Sequence, residues 1–231
     1  MADLHTHTSD DPWDNVPYSA EELIDAAAAR GVQVLAITCH GVVAHTPYFS
    51  EYAHRRGMLL IPGIELFVEG RHVLVLNPDS EQACATTFAE LRRLGPREAA
   101  IIAPHPYFPV GMSLMGKLEE HIDLFHAVEY HSFYTRMVNF NRKAVRAAKQ
   151  FGLPLVGTTD NHTFPYVPST YTWIDAEPTI TAVIDAVRGG AVTVASKPRP
   201  VGLIVQTLAF TVRQTAINIR ERKQVPGAVA V

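Results

Sequence analysis

Cysteine is scarce in these 231 residues: Cys39 and Cys84 are the only two, too few for a disulfide framework. No run of Lys or Arg occurs, and the formal charge is −3 at pH 7. An extended surface for long nucleic acid is therefore not expected. Long apolar runs are missing as well. The stretch 202–212 is interrupted by Gln206 and Thr207 and falls short of the roughly 20 residues that span a bilayer. The opening MADLHTH has neither the basic nor the apolar segment of a secretory signal, so the expected location is cytoplasmic. Gly-rich phosphate loops and a GxSxG elbow are also absent, which leaves nucleotide-driven transfer and serine hydrolysis without their motifs. What remains is ample apolar content, 47%, enough for one large domain over 1–231.

Short β-branched runs alternate with helical stretches. Residues 2–7, 32–38, 58–65, 72–76, 99–103, 127–131, 153–158 and 191–195 read as strands. Helices are expected between them. Ser19 opens the first, with Glu22 completing a capping box and Gly31 closing it. Others are expected to end near Gly57 and to run over 80–94, 135–151 and 179–188. A last helix over about 203–222 carries Leu208, Val212, Ala216 and Ile219 and would pack on the barrel or on a partner subunit, making a homo-oligomer an open possibility. Apolar strands alternating with helices imply a parallel sheet covered by helices, closed into a barrel or open and doubly wound. The polar residues favour closure, because His5, His7, His40, Glu65, His105, Glu129, His131, Asp160 and His162 fall at strand ends that only a barrel gathers at one mouth.

Each of these residues has an ordinary reading beside a functional one. The His5-x-His7 spacing puts two imidazoles on one strand face, as a metal pair or a hydrogen-bonded pair. His40 before Gly41 suits a turn, and a solitary histidine there is usually structural. Glu65, buried at a strand end, needs a cation or hydrogen-bond donors. His105 between Pro104 and Pro106 is held rigidly, as a ligand or a turn residue would be. Asp160 and His162 repeat the i, i+2 spacing, although Asp160 can also be a helix cap. His72 can be a half-buried strand histidine bonded to backbone. Taken together, histidines and carboxylates recurring at successive strand ends point to a multi-metal hydrolase.

DLHTH, AITCHG, PGIE, APHP and TTDNH, with NRKAVRAAKQFGLPLVGTTDNH and AVIDAVRGGAVTVASKPRP, resemble the polymerase and histidinol phosphatase (PHP) family of metal-dependent phosphoesterases, from about residue 3 to 198. The resemblance implies an α/β fold, a distorted (β/α)7 TIM-like barrel with two or three divalent ions, commonly zinc, manganese or iron, at the C-terminal mouth. By the same resemblance His5, His7, Glu65 and Asp160 would bind one ion. Glu65 would bridge to a second ion held by His105 and His72. His40 and His162 would hold a third, with an acidic residue from TSDDPWD, where Asp10 is preferred over Asp11. Cys39 stands where the family usually has Asp, and alternation turns it away from the face of His40.

Divalent ions in such a cluster lower the pKa of bound water and offset phosphoryl charge. The expected function is thus hydrolysis of a small phosphorylated substrate by metal-activated hydroxide. A nucleotide, an oligonucleotide end and an amino-alcohol phosphate all qualify. Asp160 would be catalytic as well as a ligand, and His131, sharing a strand face with Glu129, would be a general acid or a partner of the ligands. Arg136, Arg199 and Lys197 are the cations near strand ends that can meet a phosphate. Two other readings stand beside this one: a C–N hydrolase on a similar metal barrel, and a non-catalytic module that keeps its metals for stability.

Overall fold

A computed structural model of the chain describes residues 1–109, 111–202 and 204–205. Its strands are β1 (Ala2–Asp3), β2 (Val34–Ile37), β3 (Leu59–Val68), β4 (Arg71–Leu76), β5 (Ala100–Ala103), β6 (Ala127–His131), β7 (Leu155–Thr158), β8 (Thr170–Ile174) and β9 (Val192–Ser196). They form one sheet in the order β7-β6-β5-β4-β3-β2-β1-β8-β9. β7, at one end of that order, meets β8 and β9 at the other. Gly157 N on β7 donates to Thr172 Oγ1 on β8 at 2.8 Å, and the same hydroxyl donates to Gly157 O at 2.9 Å. A Cβ at Gly157 would lie 2.6 Å from Tyr171 O, so a glycine is what lets these strands approach. The sheet is thereby a nearly closed, distorted TIM-like barrel.

The direction of the strands departs from the all-parallel expectation. β1, β2 and β3 are parallel to one another, as are β5, β6 and β7. β4 is antiparallel to β3 and β5, and β8 is antiparallel to β1 and β9. Seven strands therefore point one way, with two reversed strands inserted. A reversed strand begins where its neighbours end. His72, at the start of β4, and Ser169, just before β8, consequently lie at the same mouth as the ends of the parallel strands.

Helices α1 (Ala20–Ala28), α2 (Pro47–His54), α3 (Phe88–Leu94), α4 (Lys117–Glu120), α5 (Asn141–Phe151) and α6 (Ile180–Gly189) fill the connections. The Ser19 box is formed: its hydroxyl accepts from Glu22 N at 3.3 Å while the Glu22 carboxylate accepts from Ser19 N at 2.8 Å. Leu23, Ile24 and Ala27 of α1 pack on Leu35 and Ile37 of β2, each large aliphatic side chain stabilising by roughly 1.5–3 kcal/mol. On β5, Ala100 and Ile102 join one apolar cluster and Ile101 and Ala103 another. Strands buried on both faces account for the near-continuous apolar runs.

Several boundaries differ from expectation. The first strand stops at Asp3, leaving Thr6 with an isolated bridge to Asn161. Residues 135–140 are not helical, because the Thr135 hydroxyl accepts from Met137 N and Val138 N and so replaces the helical pattern with a local turn. Residues 80–94 contain a 3-10 turn (Gln82–Cys84) and then α3. β8 was not anticipated. Of the helix expected over about 203–222, only residues 204 and 205 are described; the remainder lies outside the described residues.

Candidate metal centre

At the mouth, five imidazoles are fixed through Nδ1. His5 Nδ1 lies 2.8 Å from Glu129 Oε1, His7 Nδ1 2.8 Å from Asp11 Oδ2, and His40 Nδ1 2.9 Å from the same Asp11 oxygen. His162 Nδ1 faces the Asp160 carbonyl at 3.0 Å, and His105 Nδ1 the Ser113 hydroxyl at 3.4 Å. A ring whose Nδ1–H is donated presents a lone pair at Nε2, the arrangement in which an outer carboxylate or carbonyl orients a metal ligand. The Nε2 atoms of His5, His7, His40 and His105 turn toward Glu65.

The innermost donors are evenly spaced. His5 Nε2 is 3.2 Å from His7 Nε2, 3.1 Å from Glu65 Oε2 and 3.3 Å from Asp160 Oδ1. His7 Nε2 is 3.3 Å from Glu65 Oε2 and 3.2 Å from Asp160 Oδ1. Five of the six separations are therefore 3.1–3.3 Å, close to the edge of a tetrahedron whose centre is about 2 Å from each corner, the bond length zinc makes to nitrogen and oxygen. Asp160 Oδ1 is buried without a hydrogen bond, a rare condition for a buried carboxylate oxygen and one that a cation relieves.

Glu65 and Asp160 each face two ways. Glu65 Oε1 lies 3.1 Å from His105 Nε2 and 2.6 Å from His72 Nδ1. The angle of the His72 contact is not that of a hydrogen bond, and both ring nitrogens of His72 are buried without one. Asp160 Oδ2 lies 3.3 Å from His131 Nε2, whose Nδ1 accepts from Phe133 N at 3.0 Å. Asp160 itself adopts a left-handed backbone (φ 48°), pinned by its N–H to the His5 carbonyl at 2.9 Å. Two further groups can hold a cation: His40 with Glu65 and His72, and His7 with His40 and His162.

Burial opposes charge on His5, but Asp160, Glu65 and Glu129 outweigh it and hold that imidazole well above its usual value. His7 behaves likewise through Asp11, Asp160 and Glu65, and His40 is pushed up to about 9 against its burial, chiefly by Glu65 and Asp11. Burial lowers His72 despite Glu65. The pocket thus collects carboxylate charge that demands cations.

Asp10 is not among these groups: it is exposed and accepts from the Thr8 hydroxyl at 2.9 Å. Asp11 is the buried one, but its oxygens are already committed. Oδ1 accepts from Trp13 N and Asp14 N, and Oδ2 faces His7 Nδ1, His40 N and His40 Nδ1. Its place is behind the imidazoles. Asp14 Oδ2, by contrast, lies 3.1 Å from His162 Nε2 and 3.8 Å from His40 Nδ1. Asp14 and Ser113 had not been identified from the sequence, and Glu129 had been noted only for its position; the i, i+2 spacing of Glu129 and His131 was the one available signal. Glu65 is not at a strand end, since β3 runs on to Val68. Arg136 is exposed and makes no hydrogen bond or ion pair among the described residues. Lys197 is exposed too, whereas Arg199 is buried. Cys39 is buried within the α1 cluster, and Cys84 is exposed.

The model of the PHP domain matches residues 3–133, and the PHP-associated model matches residues 138–192. Comparison with curated proteins returns no match. Among solved structures, a two-domain protein from Bacteroides vulgatus containing a predicted PHP-like metal-dependent phosphoesterase aligns at 16% identity and TM-score 0.66, over 84% of this chain and 64% of that one. The chain therefore spans less than two thirds of that relative's length. PsfC from Pseudomonas syringae aligns at 17% identity and TM-score 0.64, over 94% of this chain and 98% of that one. A lesion-specific endonuclease from Pyrococcus furiosus aligns at 13% identity and TM-score 0.59, over 86% and 59%.

Proposed function

This chain belongs to the PHP domain family, and from that premise we propose that its mouth hydrolyses a phosphate ester of a small molecule. The observation that carries this reading is the cluster of four donors from His5, His7, Glu65 and Asp160, one of which, Asp160 Oδ1, is buried without a hydrogen bond. Those four would hold one divalent ion. Glu65 Oε1 with His105 and His72 offers a second place, and His40 and His162 with Asp14 a third. Such ions, of zinc, manganese or iron type, would supply acidity to a bound water and neutralise phosphoryl charge. The chain's own residues do the positioning. Glu129 and Asp11 fix the imidazole tautomers, His131 steadies Asp160 through Oδ2, and burial of His5, His7 and Glu65 keeps bulk water from competing with the substrate.

Residues 1–231 are read as one such domain. No helix among the described residues is long and apolar enough to cross a membrane; the two free cysteines fit a reducing cytoplasm. The similar endonuclease indicates that this fold can serve DNA, so oligonucleotide ends belong among the substrates to be tried, although no basic run marks a surface for long duplexes.

The test is metal analysis of the purified protein, followed by phosphate release from nucleoside phosphates, an oligonucleotide with a terminal phosphate and amino-alcohol phosphates. Hydrolysis of at least one, lost in His7→Ala and Asp160→Ala, is expected. Bound metal with no ester cleaved, and unfolding on chelation, would assign the metals to stability alone; cleavage of amides instead would make the protein a C–N hydrolase.

A further inference from the structure

Arg199 is the one Lys or Arg among the buried charged residues described, with 7% of its surface exposed. Pro198 and Pro200 flank it and restrict the backbone on both sides. The strap is tied down where β6 and β9 end and β8 begins. Lys197 N donates to Ser169 O at 2.8 Å, just before β8, and Arg199 N donates to Tyr134 O at 2.9 Å, just after β6. Because β8 is reversed and β6 and β9 are not, both ties lie at the mouth.

The guanidinium has five N–H donors, yet among the described residues one is engaged: Nε to Ser169 Oγ at 3.3 Å. No carboxylate lies within 4 Å of it among the described residues. The nearest acids are committed elsewhere. Asp3 accepts from Thr159 N at 3.0 Å, from the Thr159 hydroxyl at 2.6 Å and from Tyr166 at 2.8 Å. Asp160 serves the imidazoles, while both acids still attract Arg199 from a distance. A buried cation with most of its donors unused by the described residues has room for a further partner.

We propose that Arg199 receives an oxygen of the substrate's terminal phosphate and so selects monoesters over diesters. The inference rests on the phosphoesterase reading for its substrate, but not for its geometry. A monoester has three non-bridging oxygens and up to two charges; a diester has two oxygens and one charge. With Glu65 and Asp160 each facing two groups of imidazoles, a cluster holding more than one cation would engage two oxygens. Only the monoester then has a third for a guanidinium, which binds phosphate through paired N–H donors.

The experiment uses the metal-loaded protein with Arg199→Met and Arg199→Lys. It measures metal content, thermal midpoint, binding of inorganic phosphate by calorimetry, and kcat/KM for p-nitrophenyl phosphate and its bis-ester. Arg199→Met should lower kcat/KM for the monoester by about 10–100-fold, with the diester within about threefold and metal content unchanged. Arg199→Lys should fall between. Equal losses for the two esters, or none for either, would overturn the proposal. If Arg199→Met does not fold, Arg199→Lys decides by the same ratio. If the wild type cleaves no ester, the phosphoesterase reading fails, and the phosphate titration alone decides: affinity lost with Arg199→Met supports the anion site, and unchanged affinity overturns it.

Discussion

The donors on the floor of the mouth and those on its rim are the same residue types held in different ways. His5, His7 and Glu65 are essentially inaccessible, and a buried carboxylate stands behind each of the two imidazoles, Glu129 for His5 and Asp11 for His7. His162 and Asp14 meet at 3.1 Å with side chains 24% and 41% exposed, and the Nδ1 of His162 is hydrogen-bonded to a backbone carbonyl. Burial removes water as an alternative partner, so the floor has one arrangement of lone pairs and a high cost for leaving them unmet. On the rim, water can replace either partner. The floor is therefore suited to holding an ion permanently and the rim to exchanging one.

The comparison can be broken most severely at the floor. Asp160→Ala or His7→Ala should abolish tight metal binding and reduce ester hydrolysis to background; retention of stoichiometric metal by elemental analysis would remove the tetrahedron from the account. Chelation of the wild type should lower the thermal midpoint measurably, since uncompensated carboxylates then stay buried.

Next come the residues behind the imidazoles. Glu129→Gln and Asp11→Asn should each weaken metal affinity or activity by about 10–100-fold. An Asp11 effect as small as that of a surface aspartate would mean the tautomers need no carboxylate. Uptake of metal should also release protons. The metal-free imidazoles of His5, His7 and His40 are held above their ordinary values, so near neutrality a cation must displace protons, and affinity should rise with pH; a flat pH titration would contradict it.

The smallest effects belong to the rim. Asp14→Asn should weaken only the most loosely held ion, by a few-fold, leaving the inner metal in place. Asp10→Asn should change neither metal content nor stability beyond the roughly 0.5 kcal/mol typical of surface substitutions. If Asp10→Asn proved costlier than Asp14→Asn, the assignment within 8–14 would be reversed.

Strand positions, the capping box at Ser19 and the His5/His7 and Asp160/His162 pairs are readable in the chain, because period-two alternation and apolar runs leave a local mark; the grouping of His5, His7, Glu65 and Asp160 came only from the resemblance to the PHP family. β8 was missed, lying among prolines and turn residues after a loop. The reversal of β4 was missed because a strand buried on both faces reads alike in either direction. Arg136 looked equivalent to Arg199 for the same kind of reason: nothing near either residue states that one stays exposed while two prolines and two hydrogen bonds draw the other inward.

The sequence by itself determined which donor atoms this protein owns and that most of them, Glu65 and His72 apart, recur at or just past strand ends, since side-chain chemistry and alternation are local properties. The tertiary structure decided which of those donors keep a free lone pair. Asp10, Asp11 and Asp14 sit within five residues of one another, and only folding separates them into a surface acid, an imidazole orienter and a rim acid facing His162. That choice depends on contacts with His7, His40 and His162, which follow different strands, and no spacing along the chain encodes it.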